Sequence, residues 1–219
     1  MHKLEMDAVL HSAHFELIER LLDTSDGSEA SAYMLFGSSE ITADPWFGTP
    51  RLRVVSHKFV PIAETEKVSS SASHVTWSTG GFMRLLSEAK SEGLIPALVH
   101  THPRGVARFS SQDNKNEKDL ARTAFVKGVK GLLSIVIDGD RSIAVRLWTP
   151  DGGCRDIERV TSIGSKLQFL KGLSLDTADN SVLDRQARLF GSSFNDAVGQ
   201  LRIVVVGAGA TGSAVAALL

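Results

Sequence analysis

The feature that most constrains this chain is a short apolar strand ending in a polar triplet, Pro96-Ala-Leu-Val-His-Thr-His102. Side chains alternate across a strand, so His100 and His102 leave on the same face, roughly 7 Å apart at the backbone. Two imidazoles so placed can converge on one cation. The residues between His102 and Asp113 are enough for a loop that turns back and opens a polar-faced helix, Ser111 to Val126. Asp113, in the first turn of that helix, offers a third, oxygen ligand. Two His and one Asp leave a fourth tetrahedral position for water, the layout of a catalytic rather than a structural zinc site. An acid/base must then take the water's proton, and Glu29, just ahead of the apolar run Ala32-Tyr-Met-Leu-Phe36, is the upstream candidate. The same residues carry a plainer reading. Ser110-Ser-Gln-Asp113 fits a helix capping box that needs no metal, and Glu29 fits a solvated turn.

Strand and helix signals surround this unit. His11 to Leu22 places Phe15, Leu17, Ile18, Leu21 and Leu22 on one helical face. Ala32 to Phe36 reads as a buried strand ended by Gly37, Ser38 to Pro50 as a loop, and Arg51 to Val60 as a strand. Ser69-Ser-Ser-Ala-Ser73 reads as a polar connection, and Phe82 to Lys90 as a helix stopped by Gly93. Leu132 to Ile137 and Ser142 to Trp148 form a hairpin around Asp138-Gly-Asp-Arg. The pattern predicts an α/β (α+β) domain, a mixed sheet flanked by helices, over 1–155. The turn cluster Thr149 to Gly153 and the polar stretch Gly172 to Asn180 predict a linker over 156–180.

Composition removes several classes. With 219 residues, 42% apolar and 22% charged, the chain can bury a core. Its 24 Lys and Arg against 25 Asp and Glu leave a net charge of −1, with no basic field for a nucleic-acid backbone. Apolar runs such as Ile203 to Val206 fall far short of the roughly 20 residues of a membrane span, and the N-terminus lacks a signal peptide's apolar core. A lone cysteine, Cys154, allows neither an internal disulfide nor a cysteine-rich zinc site. The expectation is a soluble cytoplasmic protein. No histidine follows position 102, so the barrel amidohydrolases, the PHP-type phosphoesterases and the iron oxygenases, which need a later His, do not fit.

The spacing His100-X-His102-X7-Ser110-X-X-Asp113, with Glu29 upstream, resembles the JAMM motif of the MPN/JAB metalloproteases, zinc isopeptidases that release ubiquitin-like modifiers. The flanks agree: Leu98-Val-His-Thr-His-Pro103 is similar to the family's apolar strand and His-Ser/Thr-His-Pro, and Glu29 to Gly37 to its Glu–apolar strand–Gly segment. The resemblance covers about residues 1 to 150. It implies an MPN/cytidine-deaminase-like sheet, zinc on His100, His102 and Asp113, water activation by Glu29, and oxyanion stabilisation by Ser110.

Near the C-terminus, Leu201-Arg-Ile-Val-Val-Val206 runs into Gly207-Ala-Gly-Ala-Thr-Gly212 and an alanine-rich helical start. In that setting a Gly-X-Gly-X-X-Gly reads as the opening of a Rossmann-like nucleotide-binding unit, NAD-binding on pattern alone. The segment ahead, Asp184-Arg-Gln-Ala-Arg-Leu-Phe-Gly191, taken with Gln200 to Ser213, resembles the opening of E1/ThiF-type adenylating enzymes. Ala210-Thr211 departs from that family's usual Gly-Leu. The resemblance implies that 181–219 is the first strand and helix of a truncated adenylating domain. Gly207, Gly209 and Gly212 would approach ATP phosphates and Arg185 would reach a partner subunit's nucleotide, with ATP and Mg bound by the complete domain only. As an alternative, Arg185 is an exposed helix charge. A bare-edged apolar strand there invites self-association.

The two resemblances together imply a zinc isopeptidase or peptidase cutting after the C-terminal glycine of a ubiquitin-like protein. Its partners would be Gly-Gly-tailed modifiers, their conjugates and an E2-like protein. Two rivals stand beside it: a peptidase trimming a Gly-Gly sulfur-carrier protein, and a non-catalytic scaffold for an adenylating enzyme.

Overall fold

The computed structural model describes residues 5–24, 27–43, 48–62, 67–71, 74–77, 79–164 and 168–171, with scattered positions between 201 and 217. The chain divides into two units, Met1–Gly172 and Leu173–Leu219. Among the described residues no helix is long and apolar enough to cross a membrane.

Among the described residues, eleven strands and three helices follow in chain order: β1 (Glu5–His11), α1 (Ser12–Arg20), β2 (Ser31–Ile41), β3 (Arg51–Pro61), β4 (Lys67–Ser71), β5 (His74–Trp77), α2 (Thr79–Glu92), β6 (Ile95–His102), α3 (Ser111–Val126), β7 (Leu132–Asp138), β8 (Ile143–Trp148), β9 (Cys154–Ile157), β10 (Arg159–Ile163) and β11 (Gln168–Lys171). Nine strands make one mixed sheet in the order β11-β10-β1-β3-β2-β6-β7-β8-β9, and β4 and β5 pair separately. The sheet curls until β8 and β9 touch β11 and β1.

Apolar alternation explains the layers. In β2, Ala32, Met34 and Phe36 join a cluster with Phe15 and Ile18 of α1, while Tyr33 and Leu35 join a second cluster under α2 and α3. A strand covered on both faces reads as a continuous apolar run, and this one does. Phe82, Leu85, Leu86 and Ala89 place the apolar stripe of α2 on that second face at helical spacing. Each such buried Leu or Phe contributes about 1.5–3 kcal/mol. The stripe of α3 is different: Glu117, Ala121 and Ala124 are its buried residues, so alanines seat the far end and a carboxylate the near one.

β6 and β7 are parallel, with α3 as the crossover between them. The carboxyl end of β6, the loop 103–109 and the N-terminus of α3 therefore meet at one end of the sheet, where parallel α/β units place their ligands.

Several boundaries differ from the sequence reading. β1 precedes the first helix, and His11 is that helix's N-cap, its ring nitrogen accepting from the Ala13 N–H at 3.2 Å. β2 passes through Gly37 to Ile41 because β3 pairs with it along that length. Of the expected polar connection at 69–73, Ser69 to Ser71 belong to β4 and pair with β5, and 72–73 lie outside the described residues. From 156 onward the expected linker carries β10 and β11, and β10 lies parallel to β1 inside the sheet. At the described positions of the expected strand at 201–206, Leu201, Ile203, Val205 and Val206 are exposed and not in a strand; the positions between them lie outside the described residues.

Candidate metal centre

Parity along β6 decides where the histidines point. Leu98 faces the α2/α3 layer, so His100 and His102 do as well. In β2, Tyr33 and Leu35 share that face, and Glu29 precedes the strand on the same parity. Asp113 sits at the start of the helix that covers it.

The structure brings the expected residues together. One ligand atom each from His100, His102 and Asp113 lies within 4.8 Å of the other two. The two imidazole centroids are 5.0 Å apart, and His100 Nε2 is 3.7 Å from Asp113 Oδ1. That is too long for a hydrogen bond but close to the ~3.3 Å between two ligands on one tetrahedral cation. His102 Nε2 is 3.7 Å from Glu29 Oε1, which brings Glu29 to the same cluster.

The donor set fits a metal. His100 Nε2 is buried and finds no hydrogen-bond partner among the described residues, a costly state for a polar atom unless something occupies the site. His102 Nδ1 lies 3.0 Å from the Val106 carbonyl; donating its N–H there fixes the tautomer and leaves the Nε2 lone pair facing the cluster. Two carboxylates against two imidazoles match a divalent cation in charge.

Asp113 performs two jobs with two oxygens. Oδ2 accepts the Ser110 N–H at 2.7 Å, while Ser110 Oγ accepts the Asp113 N–H at 3.1 Å, completing the capping box. Oδ1 remains turned to His100. Burial pushes the Asp113 carboxyl upward, but the facing His100 and the bonds to Ser110 prevail and hold it well below the usual carboxylate range.

Three further residues escaped the sequence reading. Thr101, fully buried between the histidines, donates its N–H to the Ala30 carbonyl and accepts the Ala30 N–H at Oγ1, both at 2.9 Å. That double bond pins the residue after Glu29 to the His-X-His backbone. Asp138 ends β7 opposite His102 and accepts from Ala107 at 2.9 Å, Asp140 at 3.0 Å and Ser142 at 2.9 Å. It ties the loop 103–109 to the β7–β8 turn. Gly139 lets that approach happen, since a Cβ there would lie 2.5 Å from the Pro103 carbonyl oxygen. An Asp within a turn accepting the N–H two residues on is a recognisable turn signal, but nothing local to Asp138 announces Ala107 as a partner.

In the glycine-rich tail, Gly207 has φ +89° and the Ser213 N–H donates to the Gly209 carbonyl at 2.9 Å, the bond of a first helical turn. Gly212 and Arg185 lie outside the described residues.

No curated protein matches the chain. The family model of prokaryotic homologs of the JAB domain matches residues 11–150, which spans β2, β6, the loop 103–109 and α3 and so every residue of the cluster, and the chain belongs to that family.

Proposed function

We propose that the chain is a zinc-dependent peptidase of the isopeptidase type, cutting after the C-terminal glycine of a ubiquitin-like protein. One observation carries the reading: His100, His102 and Asp113 converge, with Glu29 3.7 Å from His102. Zinc held there supplies Lewis acidity, polarising the scissile carbonyl and lowering the pKa of water. Glu29 takes the proton from the attacking water and returns it to the leaving amine. Ser110, whose oxygen accepts from Asp113, keeps its own proton to donate to the developing oxyanion.

The same reading takes 181–219 as the opening of an E1/ThiF-like adenylating domain. Gly207, Gly209 and Gly212 would form its phosphate turn and Arg185 would reach the nucleotide, with ATP and Mg completing that site. The left-handed Gly207 followed by a helical turn supports it. The partners would then be a Gly-Gly-tailed modifier, its conjugates and an E2-like protein.

The test combines metal analysis with cleavage. Purified protein should carry about one zinc per chain, lost in His100→Ala and Asp113→Ala. It should cut an isopeptide-linked conjugate of a Gly-Gly-tailed modifier. Cleavage of a linear Gly-Gly sulfur-carrier precursor alone would move the assignment to precursor trimming. Stoichiometric zinc in both variants would exclude the site.

A further inference from the structure

We propose that Arg146 is a positioning residue for the metal centre, acting on His100 through Phe109 and on Asp113 through the first turns of α3. The assignment rests on reading His100, His102 and Asp113 as a metal site.

Strand register puts Arg146 beneath the cluster. Leu98 of β6 pairs with Ser134 of β7, and Ser134 pairs with Arg146 of β8, so the arginine shares the face of His100 one row below it. Its side chain is 7% exposed. Nε and Nη2 reach Glu117 Oε2 at 2.9 and 2.7 Å, and Nη1 donates to Asn114 Oδ1. Trp148 Nε1–H donates to the same Glu117 oxygen at 2.9 Å. The guanidinium carbon stands 3.7 Å from the centroid of Phe109, and that ring meets His100 edge-on at 6.2 Å.

One cation thus holds three side chains, two on α3 and one on the loop before it. Asn114 adjoins Asp113, and Glu117 lies one turn further along the same helical face. Phe109 is the last residue of the loop before the Ser110 cap. No hydrogen bond to His100 Nε2 orients the ring among the described residues, and Phe109 packs against it as an aromatic neighbour. A buried ion pair is a poor device for stability, since apolar replacements often do as well or better. A planar fork that bonds two helix residues while stacking on an aromatic ring is well suited to fixing geometry. Outer partners of this kind typically alter metal affinity by 10–100-fold.

The experiment titrates metal-free wild type, Arg146→Lys and Phe109→Leu with zinc, and records the visible spectrum of each with cobalt(II). Lysine keeps the charge but loses fork and stack; leucine keeps the ion pair intact and removes only the ring. Both variants should bind zinc about 10- to 100-fold more weakly and give a shifted cobalt spectrum, a signature that a general loss of stability in a folded protein would not produce. Should Arg146→Lys fail to fold, Phe109→Leu alone decides. Wild-type affinity and an unchanged spectrum in folded Arg146→Lys, or in folded Phe109→Leu, would overturn the proposal. Wild-type protein that takes up neither metal overturns the metal site itself, and the assignment with it.

Discussion

Replacing Asp138 by Asn should release the loop that follows the His-X-His strand while leaving the sheet in place. The carboxylate divides its work: Oδ1 accepts from Asp140 and Ser142 in the β7–β8 turn, and Oδ2 accepts from Ala107 in the loop. An asparagine oxygen can keep the two turn bonds in weaker, uncharged form. Its NH2 must then face the Ala107 N–H, donor against donor. Losing one bond to a charged, 4%-exposed acceptor costs about 1.5–3 kcal/mol, and the two weakened bonds add to it. The sum is about 3 kcal/mol, equivalent to roughly 6–12 °C in Tm for a domain of this size. Urea unfolding of the metal-free protein measures it directly, and an unchanged m-value would show that only the native state was affected. Because the His102 Nδ1 acceptor, the Val106 carbonyl, adjoins Ala107, zinc affinity should fall alongside stability. Stability within about 0.5 kcal/mol of wild type, together with unchanged zinc affinity, would refute the tether.

The remaining expectations concern chemistry, capping and a thiol. Glu29→Gln should retain zinc and lose on the order of 10²–10⁴ in turnover, the range for a general base; full activity with zinc retained would move that role to another carboxylate. Ser110→Ala should cost about 1 kcal/mol through the lost cap and about 10²-fold in rate through the lost donor, whereas Ser110→Asp should restore the cap without the rate. Wild-type activity in both would remove Ser110 from the chemistry. Cys154 lies at the surface, yet partial desolvation pushes its thiol up to about 11, with the Arg146 charge working against it, so the thiol stays protonated at neutral pH. Alkylation by iodoacetamide should rise nearly tenfold between pH 9 and pH 10; a rise of about twofold or less would mark an ordinary thiol.

The parts of the fold that were legible in the sequence are those whose signals are local. β6 and α3 fall within a residue of the boundaries read from an apolar run ending at His102 before Pro103 and from a Ser110 cap. β1 and β10 were not legible. They pair with each other across about 150 residues, besides β3 and β11 on their other edges, and Arg159-Val-Thr-Ser-Ile163 mixes polar and apolar residues in a way that also suits a linker. The cluster itself could be read because parity and helical position constrain four side chains through short stretches of chain. Thr101, Asp138 and the Arg146–Glu117 pair could not, because each bonds across the fold to a residue that no spacing rule connects to it.

Ser110-Ser-Gln-Asp113 admitted two readings, a helix cap or part of a metal site, and the geometry makes both true at once. A carboxylate has two oxygens: the cap takes Oδ2, and Oδ1 is left 3.7 Å from His100. Each use supports the other. The cap fixes the rotamer of Asp113, so a cation need not order a free side chain in order to bind. A cation at Oδ1 offsets the desolvation that opposes the charged carboxylate. Metal and α3 should therefore be thermodynamically coupled, and zinc should raise the stability of the wild type by RT ln(1 + [Zn]/Kd). Asp113→Asn separates the two uses, because an amide keeps one acceptor oxygen and can serve the cap or the cation but not both. If Asp113→Asn retained both the stability of the metal-free wild type and its full stabilisation by zinc, the division of labour between the two oxygens would be wrong.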